Sequence, residues 1–323
     1  MTTLQFDSTG RLRHLLTLRG LHRSTLQRIL SCAGQLRDAA VGRVRRRDVL
    51  AGIAVCTLFF EASTRTRCSF QLAAQRLGAD VLNFEAGTSS TAKGETALDT
   101  LKNLEAMGVR GFIIRHPDNQ AVQHLAEQVG EDTACINAGS GTLEHPTQGL
   151  LDMLTLRQAK GNDFSQLTVL LVGDVKHSRV ARSDLNALRI LGTKEIRICA
   201  PRQLLPEPAE LEGCVVGEEI DAMLEGVDAI MMLRLQRERM EDGLVPNIDA
   251  YIQGFRLDQA RLERAGAHAV VLHPGPVNRE IEMTSEVMDG PQSWILRQAA
   301  NGVAIRMAVL SALFANGNPC LTS

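Results

Sequence analysis

Two apolar signatures alternate along this chain. Short continuous apolar runs suit strands buried on both faces, and runs of period 3.6 suit helices between them. The first helix is predicted from Ser24, with Gln27 completing a capping box and Leu26, Ile29, Leu30, Ala33 and Leu36 on one face. The run Leu50–Phe60 predicts a strand. A helix from Ser63 follows, with Phe70, Ala73, Ala74 and Leu77 inward and Gly78 as its stop. Next come a strand near Val81–Phe84 and a helix near Glu95–Met107, with Leu98, Leu101 and Leu104 inward. A strand ending at Arg115, a helix near Gln120–Val129 and a strand near Ala134–Asn137 lead to a long helix between Pro146 and Gly161. The second half repeats the rhythm. Strands are predicted at Leu167–Val172, Ile196–Ala200, Asp228–Leu233 and Ala269–Leu272. Helices are predicted before Gly192 and at Glu218–Glu225, Leu257–Ala265 and Val303–Ala315.

This alternation predicts an α/β fold of two lobes, each a mostly parallel sheet flanked by helices. The length, 323 residues, suits two domains. The border is expected near residues 145–150, inside the long helix. Spacing leaves open whether the last helix returns to the first lobe.

Composition narrows the class. Aromatic residues are only 3%, so the core is built from Leu, Val, Ile and Ala, as suits helices layered on parallel sheets. The net charge of -2 lacks the basic footprint of a dedicated nucleic-acid binder. No apolar run reaches the ~18 residues of a membrane span. The N-terminal stretch MTTLQFDSTGRLRHLL has no apolar h-region, so no secretory signal is expected. Seven dispersed cysteines (32, 56, 68, 135, 199, 214, 320) with no CxxC pair read as reduced core thiols of a cytoplasmic protein.

In open parallel sheets, ligands bind outside the carboxyl ends of the strands. There stand Ser63-Thr64-Arg65-Thr66, Arg115, His145 to Gln148, Arg179, Arg234 with Gln236, and His273 to Pro276. The Ser63–Thr66 turn is the sharpest. Its helix N-terminus, three hydroxyls and Arg65 suit a phosphate, against the plainer reading of an N-cap with surface residues. Arg115 reads either as a snorkelling surface arginine or as a ligand, and His145 as a structural histidine or a contact. The segment Gly87 to Glu95, with Ser89 and Lys93, is a surface loop or an anion-binding lid. Arg179 and Arg234 suit a dicarboxylate. The chain has no HExxH, no ligand spacing among its histidines, no GxGxxG after Val172-Gly173-Asp174 and no GxxxxGK[ST].

Taken together, Phe59-Phe60-Glu61-Ala62-Ser63-Thr64-Arg65-Thr66-Arg67, Arg115-His116-Pro117, His145-Pro146-Thr147-Gln148, Arg234-Leu235-Gln236 and His273-Pro274-Gly275-Pro276 resemble, in order, the motifs of the aspartate and ornithine carbamoyltransferases. The resemblance runs from about residue 14 to about 315. Phe-Phe-Glu-Ala before Ser63 and Arg-x-Gln at 234–236 resemble the aspartate branch. The Cys-Leu-Pro and Ser-Met-Gly segments usual in the ornithine branch are missing.

The resemblance implies transfer of a carbamoyl group from carbamoyl phosphate to L-aspartate, a step of pyrimidine biosynthesis, with no cofactor and no metal. Ser63, Thr64, Arg65 and Thr66 would hold the phosphate. Thr66, Arg115 and His145 would meet the carbamoyl oxygen, and Gln148 the amide. Gly275 and Pro276 would add backbone contacts to carbamoyl phosphate. Ser89 and Lys93 would come from a neighbouring subunit of a homotrimer with shared active sites, Lys93 also reaching the aspartate. Arg179, Arg234 and Gln236 would bind the aspartate carboxylates, and Glu61 would tie the two lobes in a closed state. Residues 1–147 with 300–323 would form the carbamoyl phosphate-binding domain and 148–299 the aspartate-binding domain, the final helix packing on the first lobe. The resemblance leaves open whether regulatory or dihydroorotase-like subunits join. It implies no nucleic-acid or membrane partner.

Overall fold

The structure, a computed structural model, describes residues 3–43, 48–85, 94–236 and 247–315. These fall into two compact units. One holds the residues up to Leu154 and those from Ala300 on; the other is Thr155–Ala299.

The first unit contains α1 (Arg23–Gln35), α2 (Arg37–Ala40), β1 (Ala54–Phe59), α3 (Thr64–Arg76), β2 (Asp80–Glu85), α4 (Ala97–Ala106), β3 (Val109–His116), α5 (Ala121–Gln128) and β4 (Ala134–Ser140). α6 (Pro146–Lys160) begins in it and runs into the second unit. The second unit continues with β5 (Thr168–Val172), α7 (Arg179–Leu191), β6 (Glu195–Cys199), β7 (Val215–Gly217), α8 (Ile220–Met223), β8 (Ala229–Met232), α9 (Ile248–Phe255), α10 (Gln259–Ala265), β9 (Val270–Leu272) and α11 (Ser285–Asp289). α12 (Ile295–Phe314) carries the chain back to the first.

In the first unit the strand order is β2-β1-β3-β4, and every pair is parallel. Phe112 and Ile114 of β3 pack with Leu101 of α4 and Val122 and Leu125 of α5. The opposite face receives α12. A Cβ on Gly111 would stand 2.7 Å from Val55 Cγ1 and 2.9 Å from Phe314 Cζ, so the helix lies against the sheet where a side chain is missing. The Arg306 guanidinium lies 4.9 Å from the Phe70 ring of α3. The last helix therefore packs on the first unit.

In the second unit the order is β7-β6-β5-β8-β9, again all parallel. β5 and β8 are buried along their whole length, which is why they read as unbroken apolar runs. Each sheet has one topological switch point, where the chain changes its direction of growth: between β1 and β3 in the first unit, and between β5 and β8 in the second.

Some expectations shift. α1 is capped at His22 without a side-chain bond, because Ser24 already lies inside the first turn. The capping box stands instead at α4, between Thr96 and Asp99. Leu50–Ile53 is a turn rather than strand, with Gly52 at positive φ. Leu98 is 37% exposed, while Leu101 alone of the predicted trio is fully buried. α12 starts at Ile295, eight residues before its predicted start. β7, α9 and α11 were not predicted. The uniform reading of the cysteines fails: Cys56, Cys135 and Cys199 are buried and free, Cys68 is exposed, Cys214 is half-buried, and Cys32 is disulfide-bonded. The basic stretch Arg43–Arg47 lies outside the described residues beyond its first member. No described helix is long and apolar enough to cross a membrane.

Candidate active site

At the switch point of the first sheet, β1 leads through Glu61 into α3, and β3 ends in Arg115 and His116. The strands are in register here, Phe59 opposite Arg115, and the Phe60 amide donates to the Arg115 carbonyl at 2.8 Å. Ser63 is the N-cap of α3 but makes no side-chain capping bond, which leaves the first-turn amides to another acceptor. Thr64 and Arg65 are exposed, Thr66 is buried and Ser63 is half-buried. An α-helix N-terminus with this set of donors suits an anion.

Arg115 is only 8% exposed, so it does not snorkel. Its Nη1 donates to the Ala138 carbonyl at 3.3 Å, and its Nη2 to Glu61 Oε1 at 2.8 Å. The register between β3 and β4 slips at this point, with Ile114 opposite Asn137 and His116 opposite Ser140. Such a slip re-aims a side chain. Asn137 holds the bulge: its Nδ2 donates to the Leu16 carbonyl and Ser140 Oγ, and its Oδ1 accepts from the Gly139 amide. Glu61 forms an ion pair with Arg115.

His145 is 4% exposed, at the entry to α6, where its carbonyl accepts from the Gln148 amide at 2.9 Å. Gln148 Nε2 donates to both oxygens of Asp152, at 3.1 and 3.2 Å. Asp152 is fully buried and is also the anion that supports the charge of Arg306, whose pKa burial pushes down to about 9. Sequence reasoning missed Asp152 and Arg306; their spacing shows nothing until α6 and α12 fold together. Ser89 and Lys93 lie outside the described residues.

In the second unit, β5 leads through Gly173 to Asp174, which is fully buried. Its Oδ1 accepts from the His177 amide at 3.1 Å and contacts His177 Nδ1 at 2.9 Å. Its Oδ2 accepts from the Gln236 amide at 3.2 Å. Across the switch point, the Leu233 amide donates to the Val172 carbonyl at 2.8 Å. Arg234 and Gln236, both half-buried, thus leave β8 beside the end of β5. Arg179 is the first residue of α7 and is buried; the N-cap Ser178 accepts from the Ala181 amide at 3.1 Å. Next to β8, β9 leads to His273 and to Gly275, at φ +69, where glycine costs least. Arg179, Arg234, Gln236 and His273–Pro276 therefore leave three adjacent strands, β5, β8 and β9. The arrangement offers cations and amide donors to an anionic ligand.

Two family models match the chain in succession. The aspartate/ornithine carbamoyltransferase carbamoyl-P binding domain covers residues 13–158, and the Asp/Orn binding domain covers 165–313. The chain belongs to the aspartate/ornithine carbamoyltransferase family. Among its relatives, the aspartate carbamoyltransferase catalytic subunit of Xanthomonas campestris is 71% identical over 313 residues, 97% of this chain and 99% of that one. The subunit of the same name from Stenotrophomonas maltophilia is 71% identical over 314 residues, with the same coverage. Among solved structures, aspartate transcarbamoylase from Trypanosoma cruzi in complex with carbamoyl phosphate and aspartate is 30% identical, with a TM-score of 0.83 over 97% of this chain and 100% of that one. Ornithine carbamoyltransferase from Thermus thermophilus is 28% identical, with a TM-score of 0.81 over 94% of this chain and 99% of that one. Both branches of the carbamoyltransferases share the fold; the relatives at 71% identity carry the aspartate name.

Proposed function

We propose that the chain transfers the carbamoyl group of carbamoyl phosphate to the amino group of L-aspartate, giving N-carbamoyl-L-aspartate and phosphate. The observation that carries this reading is the set of donors on three adjacent strand ends of the first unit: Ser63–Thr66 after β1, Arg115 on β3 and His145 after β4.

In this reading Ser63, Thr64, Arg65 and Thr66 hold the phosphate, with Ser89 and Lys93 supplied by a neighbouring subunit. Gln148 meets the carbamoyl amide. Arg179, Arg234 and Gln236 take the aspartate carboxylates, helped by Lys93, and Gly275 and Pro276 bring backbone contacts to carbamoyl phosphate. Attack by the amine forms a C–N bond and builds negative charge on the carbonyl oxygen. Thr66, Arg115 and His145 are preorganised donors for that charge. The bond from the carbamoyl carbon to the phosphate oxygen then breaks, and the departing phosphate takes the amine proton. The working form is a cytoplasmic homotrimer with shared active sites.

The test is carbamoyl transfer by the purified chain with carbamoyl phosphate and either L-aspartate or L-ornithine. Product with aspartate alone is expected. Product with ornithine alone would keep the phosphate site and overturn the roles of Arg179, Arg234 and Gln236.

A further inference from the structure

Glu282 follows the His273 turn in the second unit and is fully buried. Its carboxylate accepts four hydrogen bonds. Oε1 accepts from the Leu235 amide at 2.9 Å and from Asn278 Nδ2 at 2.7 Å. Oε2 accepts from the Asn278 amide at 2.7 Å and faces His273 Nε2 at 3.1 Å. His273 Nδ1 accepts from the Gly275 amide at 2.7 Å, so the ring proton sits on Nε2 and points at Glu282. The backbone of Glu282 is held as well: its amide donates to the Asn278 carbonyl at 3.2 Å, and its carbonyl accepts from Leu257 at 2.9 Å.

The Leu235 amide belongs to the peptide unit that joins Arg234 to Leu235, the residue between Arg234 and Gln236. It is clamped by Glu282, and the next amide, Gln236, is clamped by Asp174 at 3.2 Å. Two buried carboxylates thus fix two successive peptide planes. The same Glu282 carboxylate fixes the His273 turn.

We infer that Glu282 is a positioning residue for the amino-acid substrate, aiming Arg234 and Gln236 by fixing the backbone between them. The inference rests on the aspartate-binding role proposed for those two residues. Only a carboxylate meets the requirement, because all four partners are donors. A glutamine would turn its own N–H groups toward at least one of them, leaving buried donors unpaired.

The test compares Glu282→Gln, Asn278→Ala and Arg234→Ala in the full-length enzyme, with steady-state KM for each substrate and circular dichroism as the check on folding. Glu282→Gln is expected to raise the KM for L-aspartate by ~10-fold or more, since small misplacements of a binding group cost that much. The KM for carbamoyl phosphate should rise several-fold less than that for aspartate, since of its proposed contacts only the Gly275 and Pro276 backbone depends on the turn that Glu282 fixes, while the Ser63–Thr66 turn, Arg115 and His145 lie in the other unit; a general loss of stability would not produce that split. Asn278→Ala, at a half-buried position, should raise the KM for aspartate more than that for carbamoyl phosphate, by a smaller factor than Glu282→Gln, and it decides the matter if Glu282→Gln does not fold. Unchanged aspartate KM in the folded Glu282→Gln variant, or equal rises for both substrates, would overturn the inference. If Arg234→Ala raises the aspartate KM while Glu282→Gln does not, only the positioning role falls. If Arg234→Ala leaves it unchanged, the aspartate-binding reading falls, and this inference with it.

Discussion

Arg115 Nη2 donates to Glu61 Oε1 across 2.8 Å, joining the end of β3 to the residue that follows β1 by two. The pair holds a guanidinium in place at the switch point before any ligand arrives. Arg115→Ala removes that preorganised donor and is expected to lower kcat by about 10²–10³-fold, or about 2.7–4 kcal/mol. Arg115→Lys should recover only part, since an ammonium cannot meet Glu61, Ala138 and a ligand with one planar fork. A kcat for Arg115→Ala within about threefold of the parent would refute the oxyanion role.

Gly111 and Phe314 meet where a side chain would collide. Gly111→Ala is expected to destabilise the protein by about 1–3 kcal/mol through overpacking against Val55 and Phe314. Adding Phe314→Leu should return part of the loss. Urea unfolding of the single and double variants measures the coupling, and purely additive losses would show that the helix does not press on this point.

His14 is fully buried, its Nδ1 accepting from the Cys135 amide at 2.9 Å. Burial, with Arg13 as a lesser cause, pushes its pKa down to about 4 from 6.5. The unfolded chain therefore binds this proton before the folded one does. Stability is complete above pH 6.5 and falls as the pH drops from 6.5 toward 4, by up to about 3 kcal/mol. His14→Gln should flatten that part of the profile. The check is the difference between parent and variant unfolding free energies at pH 7.5 and pH 5; equal slopes would dismiss His14 as the source.

Asp152 and Arg306 are opposite charges in the same buried region of the first unit. Asp152→Asn strips Arg306 of that support and Gln148 of a charged acceptor, and is expected to cost about 3–5 kcal/mol. Replacing both, Asp152→Asn with Arg306→Met, should cost less than the first change alone. Thermal unfolding of the two variants decides, and a double variant weaker than the single one would contradict the pairing.

The candidate site was legible in the sequence because strand ends are. Apolar runs stop at Phe60, Arg115, Leu233 and Leu272, and the polar residues that follow are the ones the two sheets bring to their switch points or, after Leu272, to the strand end next to one. The supports were not legible. Glu282 sits in Arg279-Glu280-Ile281-Glu282, which reads as a solvated charge run, and its partners at 235, 273 and 278 meet only after β8 and β9 pair. Asp152 and Arg306 are 154 positions apart in the numbering, too far for any helical period to relate them. β7 escaped because it is three residues long with Val215 and Val216 half out of the core, too short for a period to register. The extended N-terminal part of the Leu50 run failed because Gly52 at φ +79 turns the chain before β1 begins.

Because α12 supplies Phe314 to the Gly111 notch, the first unit is written in two pieces of the gene while the second is written in one. A chain emerging from the ribosome has all of Thr155–Ala299 in hand before the residues that close the earlier unit exist. The Gly111 side of β3, although made early, waits for the last part of the message. The order of synthesis and the order of completion are thus reversed for the two halves, and a chain cut short before residue 300 leaves its older half unfinished and its younger half whole.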